Sequence, residues 1–204
     1  MANDSSTGGP LAPLPSPAPV PLNGLALNNF LQAWVVGITG LNGSLVRPRW
    51  QPEPPVIPLA ATAWCSIGIQ TRRGDTFPFV GHDGDGNNGN GLDQIIRNEE
   101  LDLLCSFYDL GTNGMADFYA EIMRDGAIIA QNRAYLQAQN FDLGSVGELT
   151  VVPSLLKQRW MYRVDLPIAV RRQVVRQYAV LNLKSIAGSI ITDAGVTVEL
   201  SGPP

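Results

Sequence analysis

Charge is scarce in this chain. Asp, Glu, Lys and Arg make up 16% of its 204 residues, against 45% hydrophobic residues, where an ordinary soluble domain carries about 25% charged residues. So little charge implies surface covered by something other than water, and subunit contacts are the obvious cover. No apolar run approaches the length of a membrane span, so no membrane partner is expected. The opening MANDSST has an acidic residue and no basic one, and no compact apolar stretch follows. A secretory signal is therefore not read, and synthesis in the cytosol is expected.

Side chains for catalysis are equally scarce. A serine or cysteine hydrolase of the usual kind needs a histidine base, and the one histidine, His82, lies in HDGDGNNGNG at 82 to 91, where no packing would hold a base in place. That stretch fits an EF-hand loop at Asp83, Asp85 and Asn87. It fails where the loop needs Gly and Glu, because position 6 is Asn88 and position 12 is Gln94. A calcium β-roll needs repeated copies, and only one is present. Gly, Asn and Asp tolerate the dihedrals of turns, so the stretch reads as a long mobile loop between two strands. Neither GxxxxGK[ST] nor GxGxxG occurs, which argues against a nucleotide enzyme. Glu99 and Glu100 are adjacent in a strand pattern and point to opposite faces, so they cannot converge on one substrate. Two cysteines, Cys65 and Cys105, sit in apolar alternating runs and read as inert buried thiols; with one distant histidine they are too few ligands for zinc. No catalytic set, metal site or cofactor is expected, and the chain does not read as an enzyme.

Proline and periodicity organise the rest. Residues 8 to 22 contain six prolines and no charge, so they favour an extended conformation outside the core. Residues 1–22 read as a proline-rich arm, which we expect a neighbouring subunit to hold, and 23–204 as one α+β domain. A helix is expected from Asn23 to Ile38, with Leu27, Phe30, Leu31, Trp34 and Ile38 as its apolar stripe. Five prolines between 48 and 58 permit only extended, edge or loop structure.

From Ala63 the period becomes two: Ala63, Cys65, Ile67 and Ile69 face one way, Trp64, Ser66, Gln70 and Arg72 the other, as in a half-buried strand. Ile95 to Tyr108 alternates likewise and pairs with it as a long antiparallel hairpin. Residues 112 to 138 return to helical spacing, with Asp125 and Gly126 able to break the helix. Trp160, Tyr162, Val164, Leu166, Ile168 and Val170 then alternate with Arg159, Arg163, Asp165 and Arg171. Strands are also expected at Val174 to Leu183 and Gly195 to Leu200, with IAGSI as a turn between them. The whole predicts a mixed or antiparallel sheet packed against two main helices.

The basic residues are unevenly placed. Lys157, Arg159, Arg163, Arg171, Arg172, Arg176 and Lys184 are half of the 14 Lys and Arg. Arg159, Arg163 and Arg171 share one strand face. Three readings stay open for it: an ordinary solvated face, electrostatic docking on an acidic partner, or nucleic-acid binding. The last is opposed by a net charge of −4 and by Trp160 and Tyr162 pointing the other way.

Several stretches in order resemble the neck or tail terminator proteins of contractile-tailed bacteriophages and related prophages: VRPRWQPEPP at 46 to 55, CSFYDL at 105 to 110, MRDGAIIAQNRAYL at 123 to 136 and KQRWMYRVDLPIAVRRQVVRQYAV at 157 to 180. The resemblance covers roughly residues 25 to 185 and departs at Asp109, where a glycine is expected, and in the arm. It implies a structural virion protein, assembled in the host cytoplasm, whose copies form a ring at the neck. The ring would be a hexamer, with twelve copies as the alternative. It would cap the tail tube and sheath and join them to head completion or connector proteins, with genome DNA passing through and no sequence-specific contact to it. The rival readings are another tail, sheath or baseplate subunit, and a small metal-binding or hydrolytic module.

Overall fold

The computed structural model describes residues 4–6, 8–15, 20–50, 63–110, 114–156, 159–183, 186–191 and 197–202. Two compact units are distinguished. One comprises Met1–Pro19, Pro78–Ile96 and Val175–Pro204; the other comprises Val20–Phe77 and Arg97–Val174.

In the second unit, α1 (Gly24–Thr39) forms where the sequence places it and ends at Gly40, whose φ of 70° only glycine adopts freely while its N–H closes on the Val36 carbonyl at 2.9 Å. Leu27, Leu31, Trp34 and Val35 are buried. Gln32 donates to the carbonyls of Gly43 and Val46, both at 2.7 Å, tying α1 to the short edge strand β1 (Val46–Pro48). Residues 51 to 58 of the proline-rich stretch lie outside the described residues.

β2 (Trp64–Gly74) pairs parallel with β1 and antiparallel with β4 (Leu92–Asp109). Two differences from the sequence reading appear here. Residues 64–68 are buried on both faces, because Trp64 stacks on Tyr108 (centroids 4.1 Å apart) beside Met161, and Arg49 crosses over Gly68. The register also shifts between Ile69 and Thr71, so the alternation inverts and Arg73, not Arg72, stands opposite Glu100.

The expected long helix is two, α3 (Met115–Ala127) and α4 (Ala130–Gln137). The break falls at Ile128 and Ile129, while Gly126 stays helical and serves close packing: a Cβ there would lie 2.5 Å from Ile38 Cγ2 on α1. Asp109, where the resemblance led us to expect glycine, is buried and accepts the Ala116 N–H at 2.9 Å, satisfying one of the bare donors that open α3.

β7 (Arg159–Tyr178) runs on through residues 174–178, which the sequence reading assigned to a separate strand. β5 (Phe141–Val146) and β6 (Thr150–Leu156) pair antiparallel with successive parts of it. The core lies between the helices and one face of β2, β4 and β7: Leu27, Leu31, Phe107, Phe141, Leu166 and Ile168 are each at most 2% exposed. Each such side chain contributes about 1.5–3 kcal/mol by burial. Cys65 and Cys105 are both free and buried there, and burial pushes the Cys65 thiol well up.

In the first unit, β3 (Phe79–Asp83) pairs with the start of β4, Leu92 to Ile96. HDGDGNNGNG is thus not one long loop between β2 and β4. His82 and Asp83 end a strand, and the rest makes a tight turn around α2 (Gly86–Gly89), a single turn in which Asn87 and Asn88 take left-handed dihedrals. Described arm residues form no helix or strand. The Ser5 N–H donates to the Ala179 carbonyl (3.0 Å), and that of Leu14 to Gln177 (2.7 Å). Residues 186–190, expected as a turn, belong to strand β8 (Ile186–Ile191), which pairs with β9 (Thr197–Gly202) apart from the main sheet.

The main sheet therefore has seven strands in the order β1-β2-β4-β7-β5, with β3 on β4 and β6 on β7. It is mixed, and the fold is α+β as expected.

Candidate functional site

Strand alternation dictates that Arg163 and Arg171 of β7 share a face, and eight residues at about 3.3 Å each put them roughly 26 Å apart. Arg159 opens the strand. The two described guanidinium groups are in unlike states. Arg163 donates to Asp165 at 2.9 Å, with side chains only 22% and 13% exposed. Arg171 is 68% exposed and donates through Nε to Glu100 at 2.8 Å.

Glu100 joins three strands. Its other oxygen accepts from Arg73 at 2.8 Å, and Arg73 reaches on to Asp102 at 2.7 Å. The Arg171 hydrogen bond is the main reason the Glu100 carboxyl is held below the usual range. A cleft of about 520 Å³ opens beside this ladder, with Asp75, Asn98, Asp142 and Gln173 among its walls.

The neighbouring pair points the other way. Arg172 falls in step with Val164, Leu166, Ile168 and Val170, and Glu99 with Leu101, Leu103 and Cys105, so both go into the core side. There they pair at 2.8 Å with side chains 4% and 10% exposed. Arg172 also donates to the Leu22 carbonyl (2.6 Å) and to Asn23 Oδ1 (3.2 Å), and lies over the Phe141 ring. Sequence reasoning missed this pair, although an arginine in step with four aliphatic residues was the signal for it. Trp160 and Tyr162 do face away from Arg163 and Arg171. Tyr162 donates to Asp117 at 3.2 Å, and burial chiefly, with that carboxylate, raises its pKa.

His82 is held by two acceptors, Asp93 Oδ1 on Nδ1 at 2.6 Å and Asn182 Oδ1 on Nε2 at 2.7 Å. The Asn182 amide cannot turn over, because its nitrogen donates to the carbonyls of Gly84 (2.7 Å) and Gly89 (3.3 Å). Both ring nitrogens therefore need a proton, and the pKa is raised, first by the bond to Asp93. This clasp contributes stability in full below the unfolded value of about 6.5 and loses it as pH rises through the higher folded value. An imidazole titration by NMR should give a midpoint above 6.5, returning toward it in Asp93→Asn; a midpoint at or below 6.5 in the unaltered chain would refute the clasp.

Among the described residues, no group of three or more His, Cys, Asp or Glu is placed to hold a metal, and no helix is long and apolar enough to cross a membrane. What remains is a folded sheet with a charged face. A family profile described as phage neck terminator protein matches residues 25–195. The chain belongs to that family. As a neck terminator it is a structural bacteriophage protein of the virion, and the family points to other phage head and tail proteins as its partners. No curated protein matches the chain. The resemblance read from 25 to 185 in the sequence is thus the family found, extended by about ten residues.

Proposed function

We propose that this neck terminator works as a closed ring, a hexamer, that caps the tail tube and sheath and joins them to the head connector. The observation carrying this reading is the family match over residues 25–195; the low share of charged residues in the sequence accords with it. Assembly takes place in the host cytoplasm, and the genome passes through the ring without sequence-specific contacts. The work is geometric: unlike patches on successive copies close the ring, and the Arg159, Arg163 and Arg171 face meets an acidic surface on a head or tail neighbour.

Arg171, exposed and already shared with Glu100, is the member best placed to fork onto a second carboxylate. Arg163 is largely spent on Asp165. Arg159→Glu with Arg171→Glu should leave folding intact and block joining, because attraction becomes repulsion. Alanine at both should do much less, since an exposed pair is worth about 0.2–1 kcal/mol. Electron microscopy of phage lysates reads the result as joined particles against free heads and free tails. Infectious joined particles from the double reversal would remove the docking role.

A further inference from the structure

The N-terminal arm is seated on a margin formed by residues 177 to 181. The Gln177 carbonyl accepts the Leu14 N–H at 2.7 Å and the Ala179 carbonyl accepts the Ser5 N–H at 3.0 Å. The Leu181 N–H in turn donates to Ser5 Oγ at 2.8 Å. The arm runs antiparallel to the margin, since Leu14 meets the earlier residue and Ser5 the later ones. These are main-chain bonds and one hydroxyl, the chemistry by which an extended segment adds to a strand edge.

The arm is much longer than the margin it covers. Carbonyls two residues apart on an extended strand lie about 7 Å apart, whereas residues 5 to 14 laid out in the polyproline conformation reach about 28 Å. Within one chain the surplus has to double back, and Pro10 and Pro13 have no N–H to give to the margin. None of the described residues between 4 and 15 is buried. A cover needed only for its own chain would be complete in a few residues. The arm therefore holds reach that a single chain does not use.

The margin itself is fixed in place. Asn182 follows it directly, with its N–H on the Asn90 carbonyl (2.7 Å), its side-chain amide on the carbonyls of Gly84 and Gly89, and its Oδ1 on His82. A pre-set edge loses little freedom when a segment docks on it.

We propose that this margin receives the arm of a second copy. In the isolated chain the arm folds back onto residues 177 to 181; in the assembly it extends and makes the same bonds, Leu14 to Gln177 and Ser5 to Ala179, on the next copy. The occupant follows from the seat, because the segment already docked there is one that every copy carries. Exchange of identical elements needs no new contact chemistry. Since the bonds are the same before and after, exchange adds little affinity and chiefly lengthens the life of the assembly, because a copy leaves only when its arm withdraws. The inference rests on the ring reading and assigns the arm its place in it.

The test puts one cysteine on each side of the seat in the full chain, Leu14→Cys with Gln177→Cys, leaving the buried Cys65 and Cys105 as they are. Ser5→Cys with Leu181→Cys is the second pair should the first alter the circular dichroism spectrum. The assembled protein is oxidised with diamide, unfolded in detergent without reductant and sized, and the linked peptides are identified by mass spectrometry. Exchange predicts a shift from protomer size to multiples of it, with the bridge between positions 14 and 177 of different copies. The same chain oxidised while dilute and monomeric should close that bridge internally and stay at protomer size. Assemblies that yield only internally bridged single chains, or no bridge at either pair, would overturn the exchange and leave the ring reading standing. A chain that keeps the protomer mass in native mass spectrometry at every concentration would overturn both.

Discussion

Glu99→Ala should cost the folded chain about 3–5 kcal/mol, the range for removing one partner of a buried ion pair. The loss comes less from the missing attraction than from what it leaves behind. Arg172, with a side chain 4% exposed, would keep its charge in a site otherwise filled by Phe141 and by the residues that lead into α1. Urea unfolding followed by circular dichroism would show the midpoint falling with little change in slope. Arg172→Met in the same chain should restore much of the loss, since an apolar pair of similar volume is often neutral or better. That recovery separates a stranded charge from a general packing defect. A single-variant loss below about 1 kcal/mol would show that water reaches the pair.

The second large effect concerns backbone. Gly91→Ala should destabilise the first unit by about 3 kcal/mol or more, for two reasons that add. Gly91 has φ of +102°, and a Cβ there would lie 2.6 Å from the Val180 carbonyl and 2.7 Å from the Asn182 nitrogen. Neither is a side-chain end that could swing away. The same displacement would strain the 2.7 Å bond from the Asn182 N–H to Asn90 and disturb the His82 clasp. Hydrogen exchange at the Asn182 amide should speed up, and the thermal midpoint should fall. Gly89 is the control: its φ is +77° but open space surrounds it, so Gly89→Asn should be nearly neutral. Equal effects at the two sites would refute the steric account.

These two cases also mark where the sequence was and was not legible. α1, β2, β4 and the long arginine-bearing strand follow from their periods, because each has one face against a core. Even the ion pair was within reach, since Glu99 and Arg172 occupy aliphatic steps of their strands. The inversion in β2 was not, because a bulge at Gln70 leaves no mark in residue type, and with it went the identity of Arg73 as the partner of Glu100. Nor could the sequence show that HDGDGNNGNG is tied down, since Asn182 is remote in sequence and contributes through one amide. Gly126 read as a helix breaker because the neighbour that requires a glycine, Ile38, lies on another helix. The place of Asp109, where glycine was expected, was not legible either, because its bond to the Ala116 N–H reaches across the turn into α3. Of the proposed docking face, the shared side of Arg163 and Arg171 was legible, and their different exposure was not, because it depends on the carboxylates that lie beside them.

Ring formation can be read from the native mass of the purified chain. With a protomer of 21.9 kDa, six copies give 6 × 21.9, about 131 kDa. A closed hexamer should give a single species at that mass at tens of micromolar, stable to dilution over about an order of magnitude. A lone species at the protomer mass under the same conditions would contradict it.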